Sequence, residues 1–555
     1  MWLKKLLGGK AMATKQHLVI DPLARLEGDV RADVFVEDGH VVDVQVEAVM
    51  FRGFEIILRG KDPLAGLIVT PRVCGICGGS HLYKACQALD TAWHTQVPPN
   101  AWWIRNIAQV CETLQSVPRW YYAIFAIDFV NKNYAKSKLY DEVVKRWAPF
   151  VGTSYKIGLE ISALPVKIYA MFGGQWPHSS FMVPGGVMCA PQLDHITRAH
   201  ALLERYRTEW LEKVWLGCSV DRWLENKTWD DILNWLEESE SHRNSDCGLF
   251  IRFCLENGLD KYGAGVGNFI ACGSYVDPQF YPVSTIEDRN KALLAPSGVV
   301  YNGKYYPFDH LNVREDVTHS YFEGSWMLHP WDEETIPVDP EVAKKQGKYS
   351  WAKSPRYLIN GQPVPCEAGP LARQVVAGYE EAKHTCTAAG CVEHAIDPLF
   401  RNIVNKIGPS VMVRVLARMH EAVKYYKWAK QWLGKVDFKD DRFYNKPKEL
   451  PDAKGFGGTE AARGALMDWI VLENGKIKNY QIVTPTAWNI GPRDSKGQMG
   501  PIEKAIVGSP VKNPEDPIEV AHVARSFDSC LVCTVHVYDR KSRKELARFK
   551  LGGTK

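Results

Sequence analysis

The stretch TPRVCGICGGSH, residues 70–81, holds two cysteines, Cys74 and Cys77, with two residues between them. Near the other end, SFDSCLVCTVH, residues 526–536, repeats that spacing with Cys530 and Cys533. A C-x-x-C pair lets two sulfurs reach one metal from a single turn. Glycines beside it let the backbone pass close to a bound group. Spacing alone leaves zinc, another metal and two unrelated pairs all open. Zinc knuckles usually sit about 15 to 20 residues apart, and a redox dithiol would need only one pair. These pairs are separated by most of the chain.

The chain has 555 residues, 46% hydrophobic and 24% charged, within the globular range. A formal net charge of +4 gives no reason to expect a nucleic-acid partner. No run of apolar residues is long enough for a transmembrane helix. The start, MWLKKLLGGKAMATK, has no proper apolar signal region, no cleavage site and no twin arginine. Fourteen cysteines in a chain this long are too sparse for a disulfide scaffold. A reduced, cytoplasmic setting with a metal site is the expectation.

Residues 17–50 alternate apolar and polar around an EDGH turn and predict strands joined by a hairpin. Residues 101–148 have helical period, with Pro118 expected to kink or break the run. Residues 187–240 and 371–434 are the strongest helical stretches, the second interrupted near Asp397-Pro398 and Gly408-Pro409. Residues 295–370 are rich in Gly, Pro and aromatics and are expected to form irregular loops with short strands. The fold expected is α+β and predominantly helical, with a central bundle of long helices and small peripheral sheets. One domain is expected over 17–536, after a disordered extension at 1–16.

The segments around the two pairs change the balance. PLARLEGD (22–29), FRGFEIILRGKDP (51–63), GTEAARGALMDW (458–469) and NYQIVTPTAWNIGPRD (479–494) surround the terminal motifs R-x-C-G-x-C-x-x-x-H and D-x-C-x-x-C-x-x-H. FGGQWPHSSFMVPGGV (172–187), LHPWDEET (328–335) and PRYLINGQPVPCEAGPLAR (355–373) agree with them. Together they resemble the large subunit of nickel–iron hydrogenases from about residue 17 to 536. LQSVPRWYYAIFAID (114–128) is similar to the uptake type of cyanobacteria and actinobacteria.

The resemblance implies one binuclear centre held by both ends of the chain. Cys74 and Cys530 would be terminal nickel ligands, and Cys77 and Cys533 would bridge nickel to iron. Soft thiolates suit nickel. The iron would carry cyanide and carbon monoxide. Glu27 would take the first proton from a nickel-bound thiolate. Read alone, it would be an ordinary surface or cap glutamate. Arg463 would lie above the metals with Asp528 as its carboxylate partner, although "DSC" alone would more often be a turn. Pro485 and Thr486 would face the iron ligands, the Thr486 hydroxyl donating to a cyanide. His81 would stand beside a bridging thiolate. The threefold spacing of Cys530, Cys533 and His536 would allow His536 as a third nickel ligand on a helical turn. The family instead implies that His536, Glu55 and the Ile482 carbonyl hold a separate Mg2+, with Fe2+ as the alternative.

Three positions depart from the family pattern. Gln115-Ser116-Val117 lacks the aspartate of a Q-D-H segment, Ala462 replaces a frequent proline, and Ser529 stands where a proline precedes the cysteine. The other cysteines form no cluster-type run, so electrons are expected to leave through a small iron–sulfur subunit. Higher oligomers, and membrane association through other subunits, are compatible with this. Residues 537–555 carry a net charge of +5, from Arg540, Lys541, Arg543, Lys544, Arg548, Lys550 and Lys555 against Asp539 and Glu545. The resemblance implies that this tail is removed by a maturation protease after insertion factors deliver nickel. The expected activity is oxidation of H2. A hydrogen sensor that does not turn over is the alternative.

Overall fold

The computed structural model describes residues 15–23, 25, 28–280, 282–385 and 392–530. Of the expected site residues, Glu27, Cys533 and His536 lie outside the described residues, as does the segment 537–555.

The helical expectation holds at the centre. Pro99–Trp120, Thr153–Gly173 and Val411–Leu433 pack together in one buried core. Pro118 does not stop its helix; it sits in the last turn, which then widens over Tyr121–Phe125. Proline has no N–H for the carbonyl one turn back, that of Leu114. The Tyr206 hydroxyl donates to that carbonyl at 3.0 Å, so the break is satisfied from another helix. In the other helical stretches, Leu193–Arg205 runs into a widened segment, Tyr206–Leu216. Pro370–Val376, Leu399–Ile407 and Val411–Leu433 are separated near the two X-Pro steps.

The N-terminal sheet joins Lys15–Ile20, Val30–Glu37 and His40–Ala48 in order, beginning two residues before the expected boundary. Asp38 and Gly39 form its hairpin turn, with φ of 50° and 75°. That is the left-handed pair a two-residue turn requires.

The short strands expected over 295–370 are present, and they join into ordered sheets that also take in Phe269–Val276. Two four-stranded sheets occupy the region, one built around Phe269–Val276 and Leu293–Tyr301, the other around Val313–Asp316 and Ser354–Ile359. Phe269–Val276 is buried at every residue. Such a strand lacks polar alternation and cannot be recognised by it.

The sheet that matters for the site is antiparallel: Lys454–Ala461, Gly464–Glu473 and Lys476–Val483. The Gly78–Ala92 helix, which starts just after Cys77, lies on it. Gly455 and Gly457 make this possible, because a Cβ at either would collide with the Ala88 or Lys84 carbonyl. The fold is therefore α+β and mostly helical with small sheets, but these are not peripheral as expected: their strands are largely buried and one sheet carries the site.

Glu503, on the Pro501–Ile506 helix, ties two regions together. Its Oε1 accepts from the Val46 N–H at 3.1 Å and the Tyr349 hydroxyl at 2.9 Å. Burial raises its carboxyl to about 7, with only partial relief from these bonds. The native state therefore holds a proton that the unfolded state has released above the ordinary pKa of 4.5. Its stabilising share is present below that value and is lost as pH rises toward 7. Glu503→Gln should remove about 3 kcal/mol from the stability decline between pH 5 and 8, measured by urea denaturation of the full chain.

Candidate metal centre

Three of the four motif cysteines can be placed, and they meet. The Sγ atoms of Cys74, Cys77 and Cys530 all lie within 4.8 Å of one another. Cys74 and Cys530 are 3.2 Å apart, too far for a disulfide bond of about 2.05 Å. Three sulfurs so placed can share one ion at bonds of about 2.3 Å, the length of zinc thiolates. Among the described residues this is the only group of metal-ligand type. The donor set is all soft sulfur, which fits a thiophilic transition metal.

Local geometry explains the approach. Thr70–Arg72 forms a tight turn before the loop. The Cys74 sulfur accepts the N–H groups of Ile76 at 3.4 Å and Cys77 at 3.3 Å. Cys77 is the N-cap of Gly78–Ala92, where the helix dipole favours negative charge. From the other end, the Cys530 N–H donates to Thr486 Oγ1 at 2.8 Å. Hydrogen bonds from the Cys530 and Cys77 thiols pull the Cys74 thiol well down. Cys77 is pushed up by both thiol partners and then by burial, and Cys530 by Cys74 and burial against a lowering by Cys77. Without metal the three sulfurs share their protons, and Cys74 loses its proton first. Metal binding would displace the rest.

The glycines after Cys77 do not open room for a bound group, as the sequence suggested. A Cβ on Gly78 would come within 2.9 Å of the Pro71 carbonyl. One on Gly79 would come within 2.7 Å of both the Glu112 carboxylate and the Tyr169 hydroxyl. The protein's own atoms fill that space.

A small cavity beside the sulfurs is lined by His81, Arg463, Leu466, Pro485 and Thr486. His81 is kept neutral by burial, and its Nδ1 has no partner. Thr486 accepts from Cys530 and so keeps its own hydroxyl proton to donate. Arg463 sits in the two-residue turn between paired Ala461 and Gly464, and its Nη2 lies 3.2 Å from Asp528 Oδ1. Asp528 has a φ of 55°, which turns the chain sharply before Cys530. Burial raises its carboxyl, and Arg463 and then Arg418 oppose the rise.

Glu55 and Ile482 are also adjacent, but their contact is the Ile482 N–H donating to Glu55 Oε1 at 3.1 Å. Glu55 Oε2 accepts from Thr335 at 2.5 Å and from Lys353 at 3.3 Å. The Lys353 ammonium also reaches Glu333 at 2.7 Å and Glu315 at 3.3 Å. Burial would lower it, but Glu315, Glu333 and Glu55 hold it well above its ordinary value. A cavity of about 180 Å³ joins this cluster to the centre, with Glu55, Lys353, Ile482, Thr486 and Cys530 on its walls.

Sequence reasoning missed Lys353, Glu315, Glu112 and Arg418. Glu333 lies in the quoted PWDEET segment, where adjacent carboxylates were the available signal. Glu112 and Arg418 are buried charges inside long helices, and only that incongruity marked them.

A buried centre for a thiophilic metal, flanked by an arginine–carboxylate pair, is the class that fold and site define. The sequence matches the nickel-dependent hydrogenase family over residues 52–145 and 150–536. It is 32% identical to the periplasmic [NiFeSe] hydrogenase large subunit of Desulfomicrobium baculatum, covering 96% of this chain and 97% of that one. It is 29% identical to the uptake hydrogenase large subunit of Bradyrhizobium diazoefficiens, covering 97% of each. Among solved structures, a [NiFeSe] hydrogenase variant from Desulfovibrio vulgaris Hildenborough superposes with a TM-score of 0.75 at 28% identity, covering 94% of this chain and all of that one. The Dm. baculatum enzyme gives 0.74 at 31%, with the same coverage. The chain belongs to the nickel-dependent hydrogenase family as a large subunit, and it is an oxidoreductase with a nickel–iron centre. Both positions of each C-x-x-C pair are cysteine here. No helix of the described residues is long and apolar enough to cross a membrane.

Asp528→Ala would take the carboxylate from between two buried guanidiniums and put a methyl side chain on a left-handed backbone. A loss of roughly 3–5 kcal/mol is expected, with about 1 more for the backbone. Asp528→Asn tolerates that backbone and should cost clearly less. Urea denaturation of the full chain checks both; equal losses would contradict this account.

Proposed function

We propose that this chain is the catalytic subunit of an uptake hydrogenase, oxidising H2 to two protons and two electrons. The observation that carries the reading is the convergence of Cys74, Cys77 and Cys530 beside the Arg463–Asp528 pair. When bound, the nickel–iron centre supplies the position at which hydrogen is held and split. Cys74 and Cys530 would hold nickel, and Cys77 and Cys533 would hold nickel and iron. Arg463 presents its guanidinium to the reacting site and is held by Asp528. Thr486 and Pro485 line the cavity beside the sulfurs and would contact the cyanide and carbon monoxide ligands of the iron, to which the Thr486 hydroxyl can donate. His81, neutral with an unsatisfied Nδ1, can donate a hydrogen bond beside Cys77. Glu27 would receive the proton, since a carboxylate can carry it away from a thiolate.

A second ion, Mg2+ or Fe2+, would be held by Glu55, the Ile482 carbonyl and His536. The cavity running from Cys530 to Glu55 supports this, because six residues past Cys530 can reach along it. Lys353 would then neutralise the carboxylates around that ion. Electrons would pass to a small iron–sulfur subunit. The large-subunit names of the relatives, and the lack of a second ligand cluster among the described residues, favour such a partner. The active chain would end at His536 once a maturation protease has removed residues 537–555. Free cysteines throughout the described residues suit a cytoplasmic setting, with any membrane link made by other subunits.

Cys77→Ser or Cys533→Ser should abolish nickel binding, read by metal analysis. Glu27→Gln should keep metal content but suppress H/D exchange by orders of magnitude; full exchange would refute its role. Hydrogen uptake with an artificial acceptor separates this enzyme from a sensor on the same fold. Intact-mass analysis of active protein should find a chain ending at His536. Full activity from a nickel-loaded chain ending at Lys555 would exclude the processing step.

A further inference from the structure

We infer that Glu112 is a positioning residue for the first thiol pair: its carboxylate reaches from the long Pro99–Trp120 helix and fixes the turn that aims Cys77. The inference rests on the nickel–iron reading above for its readout, not for its geometry.

A helix leaves its first N–H groups without internal partners. The Gly78–Ala92 helix begins at Cys77, which supplies no side-chain cap. Glu112 takes that role from outside. Its Oε2 accepts the Gly79 N–H at 2.7 Å and the Trp176 indole N–H at 3.1 Å. Its Oε1 accepts the Ser80 N–H at 2.8 Å and the Ser80 hydroxyl at 2.6 Å. Two of the four donors are backbone groups two and three residues after Cys77. Gln109, one turn before Glu112, donates to the Ser80 hydroxyl at 3.0 Å and holds it in place.

The site is built on all sides. Glu112 is 1% exposed and forms no ion pair among the described residues. Burial raises its carboxyl to about 7, and the four donors, together with the positive end of a helix, oppose that rise and favour the carboxylate. Pro71 and Tyr169 close over Gly78 and Gly79, so the turn cannot relax toward them. On the Pro99–Trp120 helix, Gln115 donates to the Ile76 carbonyl at 3.5 Å, between the two cysteines. One helix therefore holds both the loop between the thiols and the turn that follows them. Ser116, where the family pattern has a carboxylate, lies one turn beyond Glu112.

The test uses the assembled enzyme. Glu112→Gln is isosteric but presents an N–H2 to groups that are all donors. Infrared bands of the iron-bound carbon monoxide and cyanide, together with nickel electron paramagnetic resonance, report the geometry around Cys77. The expected result is unchanged nickel and iron content with shifted bands in Glu112→Gln. Trp176→Phe removes one side-chain donor and should shift the same bands less. Gly79→Ala disturbs the same contact from the other side and should shift them as well. Glu112→Asp keeps the charge and should return the bands toward wild type. A purely structural role would lower the melting temperature and leave the bands in place. If Glu112→Gln does not assemble, Trp176→Phe and Gly79→Ala decide. Wild-type bands in every variant that assembles would overturn the inference. Absence of such bands from the wild-type enzyme would instead overturn the nickel–iron reading.

Discussion

The structure depends on bringing Cys74 and Cys530, 456 positions apart in sequence, to within 3.2 Å. Neither local segment can do this alone, and the three strands between Lys454 and Val483 do much of the work. The Gly78–Ala92 helix rests on the first strand at Gly455 and Gly457. Lys84 on that helix forms a buried ion pair with Asp468 on the second strand, and Tyr480 on the third donates to the same carboxylate at 2.5 Å. The turn between the first two strands carries Arg463. The third strand ends one residue before Thr484, whose side chain caps the Pro485–Ile490 helix. Thr486 on that helix holds the Cys530 N–H. One small sheet therefore fixes the helix behind Cys77, the guanidinium over the site and the hydroxyl behind Cys530.

The Val411–Leu433 helix holds the remaining side through Arg414, Arg418 and Glu421, on one face at spacings of four and three. Arg414 pairs with Glu367 at 2.7 Å and lies 4.0 Å over the Phe527 ring. Arg418 lies 4.0 Å over the Trp120 ring, donates to the Ser526 carbonyl at 3.0 Å and approaches Asp528 Oδ2 at 3.8 Å. Glu421 binds Arg373, which donates to the carbonyls of Ala461 at 2.6 Å and Ala462 at 3.2 Å. The turn bearing Asp528 and the turn bearing Arg463 thus hang from the same helix. Their 3.2 Å contact is set from behind. Ala462 and Ser529 lie in these two turns, and the Ala462 carbonyl is one of the two that Arg373 holds.

Much of this was legible beforehand, for identifiable reasons. The C-x-x-C pairs, Arg463, Asp528, Thr486 and His81 sit in short motifs whose order along the chain identifies a family. The hairpin at Asp38-Gly39 was legible because left-handed turns constrain residue type. The buried sheets of residues 269–368 were not, because full burial removes the alternation that marks a strand. Glu112, Arg418 and Lys353 were not, because a buried charge is recognisable only once its partners are known. Those partners lie far away in sequence: Gly79 for Glu112, Asp528 for Arg418, Glu55 for Lys353. The glycines after Cys77 were misread for a related reason. Sequence shows that a close approach is needed, but not which atoms approach.

Charge balance at the centre follows from these placements. Arg463 and Arg418 are both buried against the carboxylate of Asp528, with Glu421 a further negative charge acting on Arg418. Arg418 is lowered by burial to about 10, which still leaves it charged at neutral pH. Buried positive charge beyond what a carboxylate neutralises is costly unless another anion offsets it. The nearest candidates are the sulfurs, and Arg463 is among the groups that draw the Cys74 thiol down. In the apo site this charge favours the thiolate form of Cys74, while Cys77 and Cys530 are pushed the other way. A soft divalent ion would meet one donor drawn toward thiolate and displace protons from the other two, and the Arg463 guanidinium would offset part of the negative charge of a thiolate-rich complex. On this argument Arg463 would favour metal retention as well as chemistry.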